Sequence, residues 1–207
     1  MSIRLTLYIT CCLTIVSCRQ PEKSKELMNQ AIDVYLVSEL DDNIKIDSSL
    51  LLTNQALEFD NQNFSAINHK TTLLFRKKDA NGLIEAVDEL IKLRPETPLF
   101  LGQKAMYLEL QGDIEGAKDY YDKAIHKYQE HLETDTLNFD LMVEYVGILE
   151  ASGDTLTADK TLTKMKEMDF EDYQKEILDL YKEEFVSKKQ LLRYWKGEIE
   201  YDQIGEK

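Results

Sequence analysis

The residues that most often carry catalysis or bind metal are few and scattered in this chain. Its three histidines are His69, His126 and His131. On a helix, the five-residue separation of His126 and His131 turns them to different faces, whereas helical zinc ligands are three or four residues apart. No G-x-S-x-G, Walker, H-E-x-x-H or dinucleotide-binding motif occurs in the sequence. These patterns predict no catalytic residues, no metal ligands and no cofactor.

Carboxylates are the most abundant candidate groups. The 207 residues contain 39 Asp+Glu against 25 Lys+Arg, for a net charge of −14. At this density acid pairs such as Asp41-Asp42 arise by chance, and a glycosidase needs two carboxylates that face each other across a cleft. A non-catalytic protein is therefore favoured, and an envelope hydrolase stays the alternative. The acid excess also excludes a nucleic-acid partner, because phosphates are met by clustered Lys and Arg.

The aromatic residues favour packing over ligand binding. Tyr107, Tyr120, Tyr121 and Tyr128 recur at helical spacing, which is typical of residues that fill a seam between helices. Trp195 is the only tryptophan in the chain. A buried wedge near the C-terminus is the favoured interpretation of Trp195, and a binding hot spot is the alternative.

The three cysteines all fall within the first eighteen residues, at positions 11, 12 and 18. Arg4 is followed by an apolar run over residues 5–16 and by the small residue Ser17. This is the layout of a secretory signal peptide, which we place at residues 1–17. The run is about 12 residues, shorter than the roughly 20 that a transmembrane helix needs. We therefore expect export of the chain.

Ile15-Val16-Ser17-Cys18 resembles the lipobox of bacterial lipoproteins. The resemblance implies cleavage before Cys18 and lipidation of Cys18, with residues 18–25 forming the lipidated cysteine and a tether. Cleavage removes Arg4 and no acid, so the net charge falls from −14 to −15. An ordinary secretory signal remains the alternative, although Ile15 is not the small residue that its cleavage site prefers. Arg19, where some inner-membrane lipoproteins have Asp, favours the outer membrane, facing the periplasm.

Two similar phrases in the middle of the chain indicate a repeat. Gly112-Asp113 and Gly153-Asp154 each separate two amphipathic patterns, with Ala117 and Ala158 five residues after the glycines. Only eight Gly and three Pro occur in the chain, which favours long helices over a turn-rich β-fold. The phrases resemble the tetratricopeptide repeat, a 34-residue helix pair with small residues at positions 8, 20 and 27 and a turn glycine near 15.

A 34-residue register extends from these phrases. With Ala117 at position 20, and with Gly153 in register after an insertion of residues 132–138, the units are residues 30–63, 64–97, 98–131 and 139–172. Pro95 falls at position 32 of its unit, where the family ends the second helix. The 30–63 unit is degenerate, since it has no turn glycine and has Asp33 where an apolar residue is expected.

The resemblance implies an all-α fold, a right-handed α-α superhelical solenoid of about four helix pairs over residues 26–172. Such pairs stack because none buries its apolar face alone. An unrelated helical bundle is the alternative. Capping helices and a polar tail are expected in residues 173–207. One capping helix follows from the stripe of Phe170, Tyr173, Ile177, Leu180 and Tyr181, and a short one from Leu191, Leu192, Tyr194 and Trp195.

In this family, partner peptides lie in a concave groove formed by the first helix of each pair. Carried onto this register, the partner-binding residues are Asn68, Thr72, Arg76, Gln103, Met106, Glu109, Glu144, Gly147 and Glu150. The row is mixed polar, becomes acidic toward the C-terminal units and lacks a Lys/Arg clamp for acidic peptide tails.

The resemblance therefore predicts a non-catalytic protein-interaction scaffold at the bacterial cell envelope. Its partner would be a protein or peptide of basic or neutral polar character, and its contact with the membrane would run through Cys18. A solvated acidic face with no partner, and a peptide or small-ligand sensor with a closed cavity, remain the alternatives.

Overall fold

The computed structural model describes residues 19–37, 39–184 and 187–205. Within these ranges the chain forms ten α-helices, one short 3-10 turn at Tyr201–Gln203 and no strand. The helices are α1 (Pro21–Leu36), α2 (Asp42–Phe59), α3 (Phe64–Lys77), α4 (Ala80–Leu93), α5 (Pro98–Gln111), α6 (Ile114–Thr134), α7 (Phe139–Ser152), α8 (Thr155–Lys166), α9 (Asp172–Glu184) and α10 (Lys188–Trp195). The expected signal peptide and Cys18 lie outside the described residues.

The helices stack in chain order. From α1 to α9, each helix packs against the next, and α5 also touches α7. Packing that runs mainly between neighbours along the chain is the arrangement of a solenoid, in which each pair is covered by the pair that follows. The fold is therefore the expected all-α solenoid of stacked helix pairs. Among the described helices, none has the length and apolar character needed to cross a membrane.

The first helices of three pairs begin where the register places the first residue of a unit. These helices are α3, α5 and α7, which start at Phe64, Pro98 and Phe139. The second helix of the third pair, α6, has 21 residues where α4 has 14, a difference of about two turns. The insertion of residues 132–138 thus begins as an extension of α6.

Small residues make the seam between helices of the third pair. Ala105, Ala117 and Ala124 are each at most 2% exposed, so the backbones of α5 and α6 approach closely there. The same register positions in the neighbouring pairs are also buried, and they hold Thr71, Leu83, Leu90, Val146, Ala158 and Met165. Larger side chains are thus accommodated at this seam without loss of the helix pairing.

Side-chain caps recur at the helix starts. Asp79, Asp113 and Asp154 precede α4, α6 and α8, and each accepts a hydrogen bond from the backbone N–H three residues later. Asn63 and Asn138 cap α3 and α7 in the same way. Each such cap contributes about 1 kcal/mol. The caps fix the points at which the chain turns from one helix into the next.

The turn between the two helices of a pair requires left-handed backbone. Gly112 and Gly153 end α5 and α7 with φ of 96° and 97°. Lys78 occupies the same place after α3 with φ of 56°. Glycine adopts this conformation freely, whereas a residue with a Cβ adopts it at a cost of about 1–2 kcal/mol. The second pair therefore keeps the repeat's turn with a strained residue.

The first pair begins earlier than the sequence pattern predicts. We expected a tether up to residue 25 and repeats from residue 26, but α1 begins at Pro21. A proline at the first helical position is favourable, because its fixed φ suits a helix and its missing N–H is not needed. Val37, expected at the small-residue seam, is 75% exposed because it follows the end of α1.

Residues at the start of α1 dock onto the end of α2. Arg19 Nε donates to Asp60 Oδ1 at 2.7 Å, and the Gln20 N–H donates to the Phe59 carbonyl at 2.8 Å. Ser24 is fully buried and accepts from Asn63 Nδ2 at 2.8 Å. These contacts attach the described part of the expected tether to the solenoid.

The capping helix α9 packs with a different face from the predicted one. Leu178 is 2% exposed, and Tyr181 packs beside it against the last core cluster together with Phe170. The other members of the predicted stripe, Tyr173, Ile177 and Leu180, are exposed. Apolar residues occupy both faces of α9, so their spacing alone does not determine which face is covered.

Candidate functional site

The first helices of the second and third pairs, α3 and α5, form an open groove between them. It has a volume of about 320 Å³ and is lined by Asn68, Thr71, Thr72, Phe75, Gln103, Met106 and Tyr107. We call this hollow the α3–α5 groove. Four of its residues, Asn68, Thr72, Gln103 and Met106, belong to the predicted partner-binding row. Their amide, hydroxyl and thioether groups carry no charge, so the groove suits a neutral polar segment such as a peptide main chain.

The side-chain amide of Gln103 has an incomplete set of hydrogen bonds. Gln103 Oε1 is buried and accepts no hydrogen bond from the described residues. A buried acceptor without a donor costs about 1–3 kcal/mol. If the Gln103 side chain rotates so that Oε1 faces the groove, a bound segment that donates an N–H to it would recover this cost, and the amide is then a contact for a peptide backbone.

Thr71 and Tyr107 are the buried part of the lining of the α3–α5 groove. Thr71 Oγ1 donates to the Asn68 carbonyl at 2.7 Å, which fixes its hydroxyl. Tyr107 is 5% exposed, and burial raises the pKa of Tyr107 to about 12. Its hydroxyl is therefore protonated at any physiological pH and acts as a polar group beside Thr71.

Arg76, at the end of α3, is engaged with other parts of the chain. Its guanidinium donates to Asp42 Oδ2 at 3.1 Å and to the Tyr35 hydroxyl at 3.2 Å. The same group lies 3.9 Å from the centre of the Tyr201 ring. Because these contacts occupy one face of the guanidinium and two of its N–H donors, Arg76 serves as a structural contact at the rim of the groove.

Glu109, near the end of α5, is also engaged. Its Oε2 accepts from the Tyr121 hydroxyl at 3.2 Å, and its Oε1 lies 3.1 Å from Lys188 Nζ. Lys188 belongs to α10, so this ion pair joins the third pair to the C-terminal part of the chain. The predicted row is therefore partly covered by the protein itself.

The structure does not bring the predicted residues of α7 into the α3–α5 groove. Glu144 accepts from the Tyr128 hydroxyl of α6 at 3.0 Å. Burial raises the pKa of Glu144, although the Tyr128 hydroxyl opposes that shift. Glu150 influences Tyr181 of α9, whose pKa is raised by burial first and by the Glu150 carboxylate second. Gly147 lies between Glu144 and Glu150 on the same helix, so these residues form a separate surface.

The histidines show no arrangement for catalysis or metal binding. Ser49 Oγ donates to the Ala31 carbonyl at 2.8 Å and lies 2.9 Å from His69 Nε2. Since the Ser49 proton is used on the carbonyl, Ser49 accepts from His69, which is the reverse of an activated nucleophile. His126 lies on the surface beside Glu130. In the described ranges no three His, Cys, Asp or Glu side chains form a possible metal site.

The chain's own C-terminal segment, residues 187–205, returns to the rim of the groove, which the sequence pattern did not predict. Tyr194 is 5% exposed, and its hydroxyl donates to the Arg76 carbonyl at 2.9 Å. Phe75, which also lines the groove, lies 5.5 Å from the Tyr194 ring and 5.9 Å from the Trp195 ring. The sequence does contain a pattern that could have indicated this contact. Helix α10 is basic, whereas the chain as a whole is acidic.

Comparison with known proteins supports the repeat. No model of a known protein family matches the sequence. Over 106 residues, 48% of the chain, the sequence is 26% identical to a TPR repeat-containing protein of Methanocaldococcus jannaschii, where TPR stands for tetratricopeptide repeat. The chain spans only 18% of the length of that relative.

A solved structure has the same architecture. A thermophilic TPR protein of Thermus thermophilus aligns with a TM-score of 0.51 over 84% of this chain and 89% of its own. The two sequences are 15% identical, so this likeness concerns the fold alone. Together with the 34-residue spacing of α3, α5 and their turns, these findings support a TPR-like repeat and an α-α solenoid fold.

Proposed function

We propose that this protein is a non-catalytic scaffold that holds a partner protein by an extended segment in the α3–α5 groove. The observation that carries the proposal is Gln103, which lines an open groove of uncharged side chains and whose buried Oε1 lacks a donor among the described residues. Proteins with this repeat generally act as interaction scaffolds, which supports the same conclusion. A hydrolase has no comparable support, because the groove contains no pair of facing carboxylates.

Capture of partners from a membrane extract tests the scaffold function. Gln103→Met keeps the length of the side chain and removes its hydrogen-bonding groups. We expect about fivefold less partner on this variant, which corresponds to the loss of one hydrogen bond of about 1 kcal/mol. Gln30→Met changes an exposed glutamine on α1 and is the matched control. Equal capture by wild type and Gln103→Met would count against the proposal.

We further propose that the scaffold is anchored by lipid on Cys18 at the bacterial cell envelope, in the outer membrane and facing the periplasm. The proposal rests on the lipobox-like residues 15–18. Several acyl chains on one cysteine would anchor the chain stably without a basic surface, since each buried methylene contributes about 0.8 kcal/mol. The docked start of α1 would then hold the solenoid close to the membrane surface.

Metabolic labelling with a palmitate analogue tests the anchor. Wild type should incorporate the label and sediment with membranes, and Cys18→Ala should do neither. Cys11→Ala, which alters a cysteine within the expected signal peptide, should behave as wild type. Unlabelled wild-type protein, or equal labelling of Cys18→Ala, would exclude lipidation at this position.

A further inference from the structure

The helix of the C-terminal segment, residues 187–205, is positively charged, whereas the chain as a whole is negatively charged. This helix, α10, has the sequence KKQLLRYW, with three cations and no acid, in a chain whose net charge is −14. The helix is well defined, since Ser187 and Gln190 form a reciprocal capping box at its start. This basic, aromatic helix contacts an acidic residue of α5, Glu109, through Lys188.

The C-terminal segment makes hydrogen-bond, aromatic and charged contacts with the helix pairs. Tyr194 donates to a main-chain carbonyl of α3 and packs on Phe75. Lys188 forms the ion pair with Glu109 and lies 5.8 Å from the centre of the Tyr121 ring. The segment thus joins two successive first helices, α3 and α5, through one aromatic and one charged contact.

The segment and a groove-bound peptide compete for Phe75. The Phe75 side chain forms one end of the α3–α5 groove and also contacts Tyr194 and Trp195. A peptide that runs along the groove from Asn68 toward Arg76 therefore meets α10. Only one of the two can cover Phe75 and pair with Glu109 at a time.

We propose that residues 187–205 are an internal competitor for the partner-binding face, and that the partner's extended segment makes the same two contacts, with aromatic side chains that cover Phe75 and a lysine that pairs with Glu109. This inference rests on the proposed scaffold function and specifies its partner. Because the internal copy is tethered, its effective concentration is high, on the order of millimolar. A partner therefore has to bind tightly enough to displace it.

A labelled peptide of residues 187–205 is the probe. It is added to the full chain and to the variant Tyr194→Ala/Trp195→Ala, whose own segment has lost its aromatic contacts. We expect at least tenfold tighter binding to the variant, because the internal copy no longer competes. Tyr173→Ala, which removes an exposed aromatic ring on α9, is the control and should bind as wild type does.

Charge reversal tests whether Lys188 of the peptide pairs with Glu109 of the protein. In the double variant, Glu109→Lys should weaken binding of the peptide about tenfold, and a peptide with Lys188→Glu should regain most of that loss. Glu115→Lys, at an exposed acid on α6, is the matched control. If the peptide binds neither protein, or binds both equally, the proposal is wrong. Partner capture that still depends on Gln103 would in that case leave the scaffold function intact.

Trp195 provides a reporter in the unaltered protein, because it is the only tryptophan in the chain. A peptide in which Trp195 is replaced by phenylalanine is spectroscopically silent at tryptophan wavelengths. At saturation it should shift the emission of the chain's own Trp195 to the red as that side chain leaves Phe75. Unchanged emission would overturn the proposal. A concentration-dependent dimer would also overturn it, in favour of exchange of this segment between two copies.

Discussion

His69 is the side chain that comes closest to a catalytic geometry, and its neighbours give it a structural role. It lies between the Tyr35 ring, at 5.5 Å, and Ser49, with which it shares a hydrogen bond. Burial lowers the pKa of His69 from the usual 6.5, so the folded protein favours the neutral ring. The histidine thereby connects α3 to the first helix pair.

The lowered pKa predicts a pH dependence of stability. The unfolded chain binds the His69 proton more readily, so His69 stabilises the fold above about pH 6.5 and this contribution is lost as the pH falls below that value. We expect the free energy of unfolding of wild type, relative to His69→Gln, to decrease between pH 7 and pH 5. Urea titrations at several pH values measure it, and parallel curves for the two proteins would contradict the assignment.

The places of the predicted partner-binding residues in the fold could be predicted only in part. The 34-residue register was sufficient to bring Asn68, Thr72, Gln103 and Met106 to one groove. It gave no information about the engagement of Arg76 and Glu109, which are held by contacts distant in sequence, such as those of Arg76 with Asp42 and Tyr201. Contacts between such distant residues produce no periodic pattern in the sequence.

At the scale of helices and turns, the repeat is specified by its caps and its left-handed residues. Gly112 and Gly153 were visible in the sequence because they recur with aspartate, whereas Lys78 at the same position was not recognisable. Its backbone conformation is imposed by α3 and α4 on either side. The first pair departs from the 34-residue register. There α1 begins at Pro21, and Arg19 and Ser24 make contacts with the end of α2 and with Asn63.

Lys78 gives a prediction at this scale. Both Lys78→Gly and Lys78→Ala remove the ammonium group that lies 4.4 Å from the Tyr194 ring centre. They differ in the left-handed turn, where only glycine is free of strain. We expect Lys78→Gly to be more stable than Lys78→Ala by about 1 kcal/mol, as measured by urea denaturation. An alanine variant of equal or greater stability would show that the turn is not strained.

At the scale of the whole molecule, composition predicts the class of fold, and net charge argues against nucleic acid as a partner. Few Gly and Pro, together with the repeat, are consistent with stacked helix pairs. The return of the C-terminal segment was beyond such arguments, because α10 contacts residues about 80 to 120 positions earlier. The acid excess nevertheless explains why a basic helix is held there.

Binding of a partner protein in the α3–α5 groove is tested most directly by site-specific photo-crosslinking in intact cells. A photoreactive residue at Thr72, exposed in the groove, is compared with one at Glu85, exposed on α4. We predict one predominant crosslinked partner from position 72, reduced by Gln103→Met, and none from position 85. No crosslink at position 72, or the same products from both positions, would contradict the scaffold function.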